Sequence, residues 1–140
     1  MGVTLVTGGA GYIGSHTCVE LLSAGQDVVV VDDLSNASPE ALRRMQELGG
    51  RRLREFVHGD VRNAELLAQV FASHEVDAVI HFAASKAVGE SVAQPLAYYD
   101  NNLGGLVALL RAMQVAGCRR MVFSSSATVY GDPARVPIDE

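Results

Sequence analysis

Four glycines near the start of the chain are spaced as a phosphate-binding turn requires. They lie in residues 6–15, which read Val-Thr-Gly-Gly-Ala-Gly-Tyr-Ile-Gly-Ser and include Gly8, Gly11 and Gly14. Glycines let such a turn bend tightly and approach a pyrophosphate, whose charge is stabilised by the N–H groups at the start of the following helix. No Gly-Lys-Ser or Gly-Lys-Thr follows, which excludes a P-loop.

An acidic residue follows where a dinucleotide site needs one. Asp32 ends the apolar run of residues 28–31, which comes after a segment with helical spacing. A carboxylate at the tip of the second strand accepts hydrogen bonds from an adenosine ribose diol and repels a 2′-phosphate. The pattern therefore predicts a site for NAD rather than NADP, with a purely structural glycine turn as the alternative.

Composition and charge exclude several classes of protein. The 140 residues are 49% hydrophobic, enough for one folded domain with a core and too apolar for a disordered chain. No apolar run approaches the ~18 residues that span a bilayer, and no basic segment resembles a signal peptide. The net charge of −5 argues against a nucleic-acid surface. We expect a cytoplasmic protein with neither a nucleic-acid nor a membrane partner.

The cysteines and histidines are too scattered to indicate a metal site or a disulfide. Cys18 and Cys118 stand alone in segments with helical patterns, and the histidines form no HExxH-like pair. Two reduced, packed thiols are typical of a cytoplasmic protein. We expect no bound metal, and we expect His81, inside an apolar run, to pack in the core.

Strand-like and helix-like segments alternate along the chain. This alternation predicts an α/β fold with a doubly wound parallel sheet, the Rossmann arrangement, in strand order 3-2-1-4-5. Residues 1–140 would form the N-terminal part of a single dinucleotide-binding domain, without a second domain, and residues 83–94 would be a loop. The predicted strands are residues 3–7, 27–32, 54–57, 78–82 and 121–124, and the predicted helices are residues 12–24, 38–48, 64–74 and 95–116.

The residues that could do chemistry fall at the ends of predicted strands. In a doubly wound sheet, ligands bind beyond the carboxyl ends of the strands, where the order reverses between strands one and four. This placement is independent of the glycine motif and supports a site at that edge. The segments concerned are the glycine turn, residues 32–36, Gly59 and Asp60, residues 82–86 and residues 124–126.

Lys86, Asn101 and two serines carry polar groups that suit a nucleotide or a sugar. Lys86 is the only lysine among the 11 Lys and Arg residues, which suggests contact with a phosphate or ribose; a solvated loop lysine is the alternative. Asn101 suits a hydrogen bond to a cofactor as well as a capping or surface role. The hydroxyls of Ser124 and Ser126 could bind a substrate hydroxyl or ketone. A GxSxG nucleophile elbow is absent, which argues against a hydrolase.

These motifs resemble the extended short-chain dehydrogenase/reductase family, and within it the UDP-glucose 4-epimerases. The similarity covers the whole chain. The strings in residues 86–92 and in the serine triplet are more particular to the 4-epimerases than the glycine turn is. The matching strings are residues 6–17, 80–84, 86–92, 98–102 and 123–131.

The resemblance implies a tightly bound NAD and a UDP-hexose substrate from galactose metabolism. In that family the hydride on C4 of the sugar passes to NAD and returns to the opposite face of a 4-keto sugar. Ser126 matches the family's catalytic serine or threonine, which hydrogen-bonds the C4 oxygen. The predicted cofactor-binding residues are Gly8, Gly11, Tyr12, Ile13, Gly14, Asp32, Asp33, Leu34, Ser35, Asn36, Ala37, Asp60, Val61, Phe82, Ala83, Ala84, Ser85, Lys86, Asn101 and Ser124.

The chain departs from the family's usual pattern at three positions. Asp33 stands where asparagine is usual and adds a negative charge beside the ribose, which would weaken cofactor binding. Ser85 replaces an apolar residue just before Lys86, and Leu106 replaces a threonine in the long helix.

The family's catalytic base, a tyrosine in a Tyr-x-x-x-Lys pair, has no match in these residues. None of the tyrosines has a lysine four positions later, and the resemblance places the pair, the last strands and the substrate domain after residue 140. The chain would then be the N-terminal portion of a homodimeric enzyme. We expect strand five to be a bare sheet edge. The helix face that pairs in the family's dimer would be partly exposed; it comprises Leu106, Leu109, Leu110 and Met113.

Two other functions are compatible with these residues. One is a related nucleotide-sugar dehydratase or decarboxylase, although such enzymes usually place an Asp-Glu pair where Ala127 and Thr128 stand. The other is an NAD-binding module without catalysis of its own, since the base is not among these residues. Turnover of UDP-galactose separates an enzyme from a module.

Overall fold

Strands and helices alternate along the chain in the computed structural model, which describes residues 2–138. The strands are β1 (Val3–Thr7), β2 (Asp27–Asp32), β3 (Glu55–His58), β4 (Val76–His81) and β5 (Arg120–Phe123). The helices are α1 (Tyr12–Ser23), α2 (Pro39–Gly49), α3 (Ala64–Ser73), α4 (Val88–Ala93), α5 (Pro95–Tyr99) and α6 (Gly105–Ala116).

The five strands of the described residues form one parallel sheet in the order β3-β2-β1-β4-β5. β1 is central and buried along its whole length, and its last residue, Thr7, pairs with Val31 on one side and His81 on the other. The chain crosses the sheet in opposite directions from the two sides of β1, which leaves a crevice at the carboxyl ends of β1 and β4. The predicted doubly wound fold and its strand order are confirmed.

Alternate residues of the central strands pack against a helix layer on each face of the sheet. On one face, Val29 and Val31 belong to a buried cluster with Leu67 of α3 and Leu109 of α6. On the other face, Val28 and Val30 pack with residues of α1 and α2, namely Cys18, Leu22 and Met45. Successive strand residues point to opposite faces, so a continuous run of valines is the pattern expected of a strand covered on both sides.

Local signals fix where two of the helices begin. Ser38 accepts a hydrogen bond from the N–H of Glu40 (3.2 Å) and Pro39 follows as the first helical residue of α2. Asn63 caps α3 in the same way, through the N–H of Leu66 at 3.1 Å. Both helices therefore begin where side-chain oxygens can satisfy N–H groups that have no partner within the helix.

The connection from β4 to β5 contains more structure than the sequence predicts. Residues 83–94, predicted as a loop, include the short helix α4, none of whose residues is buried. A helix without a buried face leaves no apolar periodicity to detect. The predicted long helix is continuous from α5 to α6, but the residues between them, Asp100–Gly104, form a π-helical turn.

The apolar face of α6 is turned differently from the prediction. Leu109 and Met113, expected to be partly bare, are buried in the core against α3, so that expectation is wrong for these two residues. Val107, Leu110 and Val115 are the exposed large apolar residues on the same helix. Packing of α6 on α3 and the sheet decides which side is covered, and this packing is not visible in the spacing of apolar residues alone.

The outer edge of the sheet is exposed at β5. Val122 is 61% exposed and Phe123 is 53% exposed, and within residues 2–138 β5 pairs only with β4. This matches the expected bare edge.

Within residues 2–138 no helix combines the length and the apolar character needed to cross a membrane.

Candidate functional site

The glycine turn fits tightly between β1 and the segment after β4. Gly8 has a positive φ of 69°, which glycine adopts without strain. Its N–H donates to the carbonyl of Val31 (2.8 Å), and a Cβ at this position would lie 2.7 Å from the backbone nitrogen of Ala83. Backbone atoms of Val31 and Ala83 therefore flank the turn on its two sides, and no side chain larger than that of glycine fits at Gly8.

Helix α1 packs directly on the turn through Gly14. A Cβ there would lie 2.3 Å from the carbonyl oxygen of Gly8, so the missing side chain lets the helix start at the turn itself. Tyr12 and Ile13 form the exposed first turn of α1, and Tyr12 is 83% exposed. The first N–H groups of a helix have no partner within it, and they carry the positive end of the helix dipole to this edge of the sheet.

Asp32 connects the end of β2 to the glycine turn. Its side chain is buried; one carboxylate oxygen accepts the N–H of Ala10 (2.9 Å), and the other accepts the N–H of Leu34 (2.8 Å). Leu34 adopts a positive φ of 58° at this bend. Each carboxylate oxygen has a second lone pair, so Asp32 can accept two more hydrogen bonds from a ligand.

The neighbouring carboxylate, Asp33, is exposed and held by its own loop. One oxygen of Asp33 accepts the N–H of Ser35 at 2.9 Å and the hydroxyl of Ser35 at 2.6 Å. The ring Nε2 of His58 contacts the Asp33 carbonyl at 3.0 Å. Asp32 and Asp33 therefore place two negative charges at the end of β2, one buried and one facing solvent.

A cleft of about 470 Å³ runs across the carboxyl ends of the strands. The predicted residues that line it are Gly8, Gly11, Asp32, Asp33, Ser35, Asn36, Ala37, Asp60, Val61, Phe82, Ala83, Ala84, Ser85, Lys86 and Asn101. Val31, Gly59, Ala87, Glu90 and Tyr98 line it as well and were not among the predicted cofactor-binding residues, although Gly59 lies in one of the strand-end segments expected at the site. Of the remaining predicted residues, Tyr12, Ile13 and Gly14 lie in α1 beside the turn, and Leu34 lies in the bend that holds Asp32.

Asp60, at the end of β3, is already paired. The guanidinium of Arg62 donates to both of its carboxylate oxygens, the shorter contact being 2.6 Å. These hydrogen bonds hold the pKa of Asp60 below its ordinary value. Arg62 also pairs with Asp100 of the π turn, which links the β3 end of the cleft to the long helix.

The loop after β4 is held by side chains from α5 and the π turn. Asn102 accepts the N–H of Ser85 (2.8 Å) and donates to its carbonyl (3.0 Å). Asn101 donates to the Ser85 hydroxyl at 3.1 Å, and the Tyr98 hydroxyl accepts the N–H of Ala87 at 3.1 Å. These partners are 11 to 17 residues apart, so the matching string of residues 98–102 does not indicate that Tyr98 and Asn102 contact this loop.

The serine segment lies beyond the end of β5, outside the lining of the cleft. The Ser124 N–H donates to the carbonyl of His81 at 3.2 Å. The exposed Ser126 hydroxyl contacts the Thr128 hydroxyl at 2.7 Å and accepts the Thr128 N–H at 3.3 Å, capping the short 3₁₀ turn of residues 127–130. The structure therefore does not bring Ser126 together with the cleft residues.

His81 is a packed residue at the base of this region, as predicted. It is buried, its Nδ1 lies 2.6 Å from the Thr7 hydroxyl, and its ring stacks on Phe123 with 5.8 Å between centroids. Burial lowers the pKa of His81, because the charged imidazolium is poorly solvated there. The contact between Thr7 and His81 joins β1 to β4 at the residue that precedes the glycine turn.

Known proteins are similar to this chain over nearly its whole length. The sequence model of the "NAD dependent epimerase/dehydratase family" matches residues 4–140. Over 136 residues the chain is 59% identical to the UDP-glucose 4-epimerase of Bacillus subtilis, covering 97% of this chain and 40% of that protein. Over 136 residues it is also 52% identical to a UDP-glucose 4-epimerase of Klebsiella pneumoniae, covering 97% of both.

The fold is shared with solved structures of the same enzymes. The crystal structure of UDP-glucose 4-epimerase from Bifidobacterium longum in complex with NAD+ and UDP matches with a TM-score of 0.94 and 51% identity. That match covers 99% of this chain and 41% of the other, so the chain spans about 40% of the length of most of the relatives compared. The chain belongs to the NAD dependent epimerase/dehydratase family.

Proposed function

We propose that this chain is the cofactor-binding portion of a UDP-glucose 4-epimerase and that NAD binds in the cleft. One observation carries the proposal: the Asp32 carboxylate accepts a hydrogen bond from Ala10 in the glycine turn, at the edge of the sheet where the strand order reverses. The residues fit the group: a Cβ at Gly8 would strike backbone, and Asp32 retains lone pairs for a ribose diol. Relatives crystallised with NAD support the same assignment.

The chain's residues would hold the two halves of the cofactor on either side of the glycine turn. Asp32 and the bend up to Ala37 would bind the adenosine ribose, with Asp60 and Val61 beside the adenine. The N–H groups at the start of α1 would stabilise the pyrophosphate. Residues 82–86 would line the other half, where the Lys86 ammonium can meet a ribose or phosphate oxygen. Bound NAD supplies a reversible acceptor for the hydride on C4 of the sugar.

We propose that Ser126 hydrogen-bonds the C4 oxygen of a UDP-hexose and assists proton transfer. Its hydroxyl is exposed and shared with Thr128, so it can exchange that contact for a sugar oxygen without breaking a buried bond. The base would be the tyrosine of a Tyr-x-x-x-Lys pair, which residues 1–140 do not contain. The 140 residues would therefore bind cofactor and need the rest of the parent protein for turnover in galactose metabolism.

Replacing Gly11 with valine should abolish detectable binding of NAD+ in a calorimetric titration, whereas the unmutated chain should bind with one-to-one stoichiometry. Gly11 lines the cleft, and its Cβ would meet only the Gly8 carbonyl at 3.3 Å, so the branched side chain would occupy the phosphate position with little strain elsewhere. Thermal unfolding should show that the variant remains folded. Unchanged NAD+ affinity in a folded Gly11→Val variant would contradict the proposed site.

We also propose that the parent protein is a cytoplasmic homodimer. The supporting observation is an apolar groove of about 800 Å³ between α3 and the long helix, lined among others by Phe71, Leu103, Val107 and Val115. Exposed apolar area of this kind is typical of a protein–protein interface. Both cysteines are buried and free, as expected of thiols in a reducing compartment.

The variant Val107→Glu should shift the chain from dimer to monomer in sedimentation velocity experiments. A carboxylate in the groove would be desolvated on pairing, which disfavours the dimer. Val88→Glu is the control, because Val88 is an exposed valine on α4 outside the groove (77% exposed, against 45% for Val107), and it should leave the association unchanged. If both variants associate like the unmutated chain, the groove is not the interface.

A further inference from the structure

The loop after β4 is tied to the long helix on both sides of Lys86. Before it, the Ser85 N–H and carbonyl are both bound by the side-chain amide of Asn102, at 2.8 Å and 3.0 Å. After it, the Ala87 N–H donates to the Tyr98 hydroxyl at 3.1 Å, and that hydroxyl donates to Glu90 at 2.8 Å. The backbone is therefore fixed immediately before and after the lysine.

From these contacts we infer that Asn102 and Tyr98 are positioning residues, which hold the loop so that Lys86 faces the bound dinucleotide. The inference rests on the proposed NAD site. Lys86 lines the cleft and its side chain is exposed. A lysine on a free loop would lose both backbone and side-chain freedom on binding, whereas a loop that is already ordered loses only the freedom of the side chain.

Two successive asparagines of the π turn contact Ser85 through different groups. Asn101 donates to its hydroxyl, and Asn102 binds its backbone N–H and carbonyl. Asn101 also donates to the Asn102 amide oxygen at 3.0 Å. That oxygen therefore receives hydrogen bonds from two donors, which sets the orientation of the Asn102 amide and leaves its NH₂ group for the Ser85 carbonyl.

Ser85 adds a side-chain contact to the clamp that Tyr98, Asn101 and Asn102 form around the loop. Its hydroxyl accepts from Asn101 at 3.1 Å. The backbone bonds to Asn102 do not depend on the identity of residue 85. Asn102 is therefore the side chain to change when the position of the loop is tested.

The clamp lies beside one end of the sheet, and this position predicts which half of the cofactor it affects. β2 and β4 lie on opposite sides of β1, so the loops that follow them flank the glycine turn from opposite sides. The adenosine half would lie on the β2 side, with Asp32, and the clamp acts on the β4 side. ADP contains the adenosine and pyrophosphate parts only, and its affinity reports the β2 side without the loop that carries Lys86.

The test compares NAD+ and ADP affinities of Asn102→Ala by calorimetric titration. We expect the Kd for NAD+ to rise about tenfold, as for loss of roughly one net hydrogen bond on binding, and the Kd for ADP to change less than about twofold. Asn102→Asp keeps an acceptor for the Ser85 N–H but turns a second oxygen toward the Ser85 carbonyl, so it should also weaken NAD+ selectively. Tyr98→Phe, which removes only the hydroxyl, should do the same to a smaller extent.

Gln114→Ala, an amide-to-alanine change at an exposed position of the same long helix, serves as the control and should alter neither affinity. Equal weakening of NAD+ and ADP, or unchanged NAD+ affinity in folded Asn102→Ala and Asn102→Asp, would overturn the positioning role. Absence of NAD+ binding by the unmutated chain would instead overturn the proposed site, and the inference with it. The unmutated chain thus separates the two failures.

Discussion

Replacing Gly14 with alanine should lower the free energy of unfolding by about 3 kcal/mol, although alanine is the better helix former. The added Cβ would lie 2.3 Å from the Gly8 carbonyl oxygen and 2.9 Å from the Cα of Gly9, both of them backbone atoms. Neither can move unless α1 withdraws from the turn, which would also shift the N–H groups proposed to bind phosphate. Urea unfolding followed by circular dichroism measures the change.

Gly89→Ala is the matched control for that change. Gly89 also lies near the start of a helix, α4, but nothing lies within 4 Å of the position its Cβ would take. The same substitution should therefore leave stability unchanged or raise it by up to about 1 kcal/mol through helix propensity. Equal stabilities of the two variants would show that the contact between α1 and the turn is loose, contrary to the structure.

Replacing Asp32 with asparagine should weaken NAD+ binding about 100-fold, since two hydrogen bonds to a charged acceptor would be lost or reduced to neutral ones. It should also lower stability by about 2 kcal/mol, because an amide nitrogen cannot accept the N–H of Ala10 or Leu34. The preference for NAD+ over NADP+ should decrease, because the variant lacks the carboxylate that repels a 2′-phosphate. Titration of the variant with both dinucleotides measures these changes.

Asp33→Asn makes the same chemical change one residue later, with an expected effect of opposite sign. Asp33 is exposed and accepts hydrogen bonds only within its own loop, from the N–H and hydroxyl of Ser35. Removing its charge should tighten NAD+ binding by a few-fold, since it lies near an anionic cofactor without pairing to it. A comparable loss of affinity in both variants would mean that Asp32 acts through general charge rather than through its directed hydrogen bonds.

The sheet could be predicted closely because its signals are local and strong. β1 and β2 begin and end at the predicted residues, since β1 is a mostly apolar run between two glycines and β2 is a run of four valines between two aspartates. β4 begins at Val76 instead of residue 78, within the usual uncertainty of strand ends. Helix α4 was missed because it buries none of its residues, and periodicity is only informative for a helix with a covered face.

The site could be predicted only in part, because some of its residues belong to a recognisable sequence motif and others contact partners that are distant in the sequence. Glycines and Asp32 act through the backbone turn that contains them, so their spacing is meaningful in the sequence. Tyr98 and Asn102 act across the fold, on a loop whose position depends on how α5 and the π turn lie over β4. Nothing in the sequence near either residue indicates that partner, and only the folded arrangement brings them together.

The π turn at Asp100–Gly104 also adds a residue to the helix without changing the faces of its two parts. Such a turn holds one residue more than an α-helical turn, so the residues after it face the directions that they would have in a regular helix one residue shorter. The earlier part presents Tyr98 to the loop after β4, and the later part buries Leu109 and Met113. Deleting one residue there should therefore leave a regular α-helix whose two parts keep these faces. A one-residue deletion in this segment is thus compatible with the packing of both parts, whereas substitution of Asn102 removes a contact with the loop after β4.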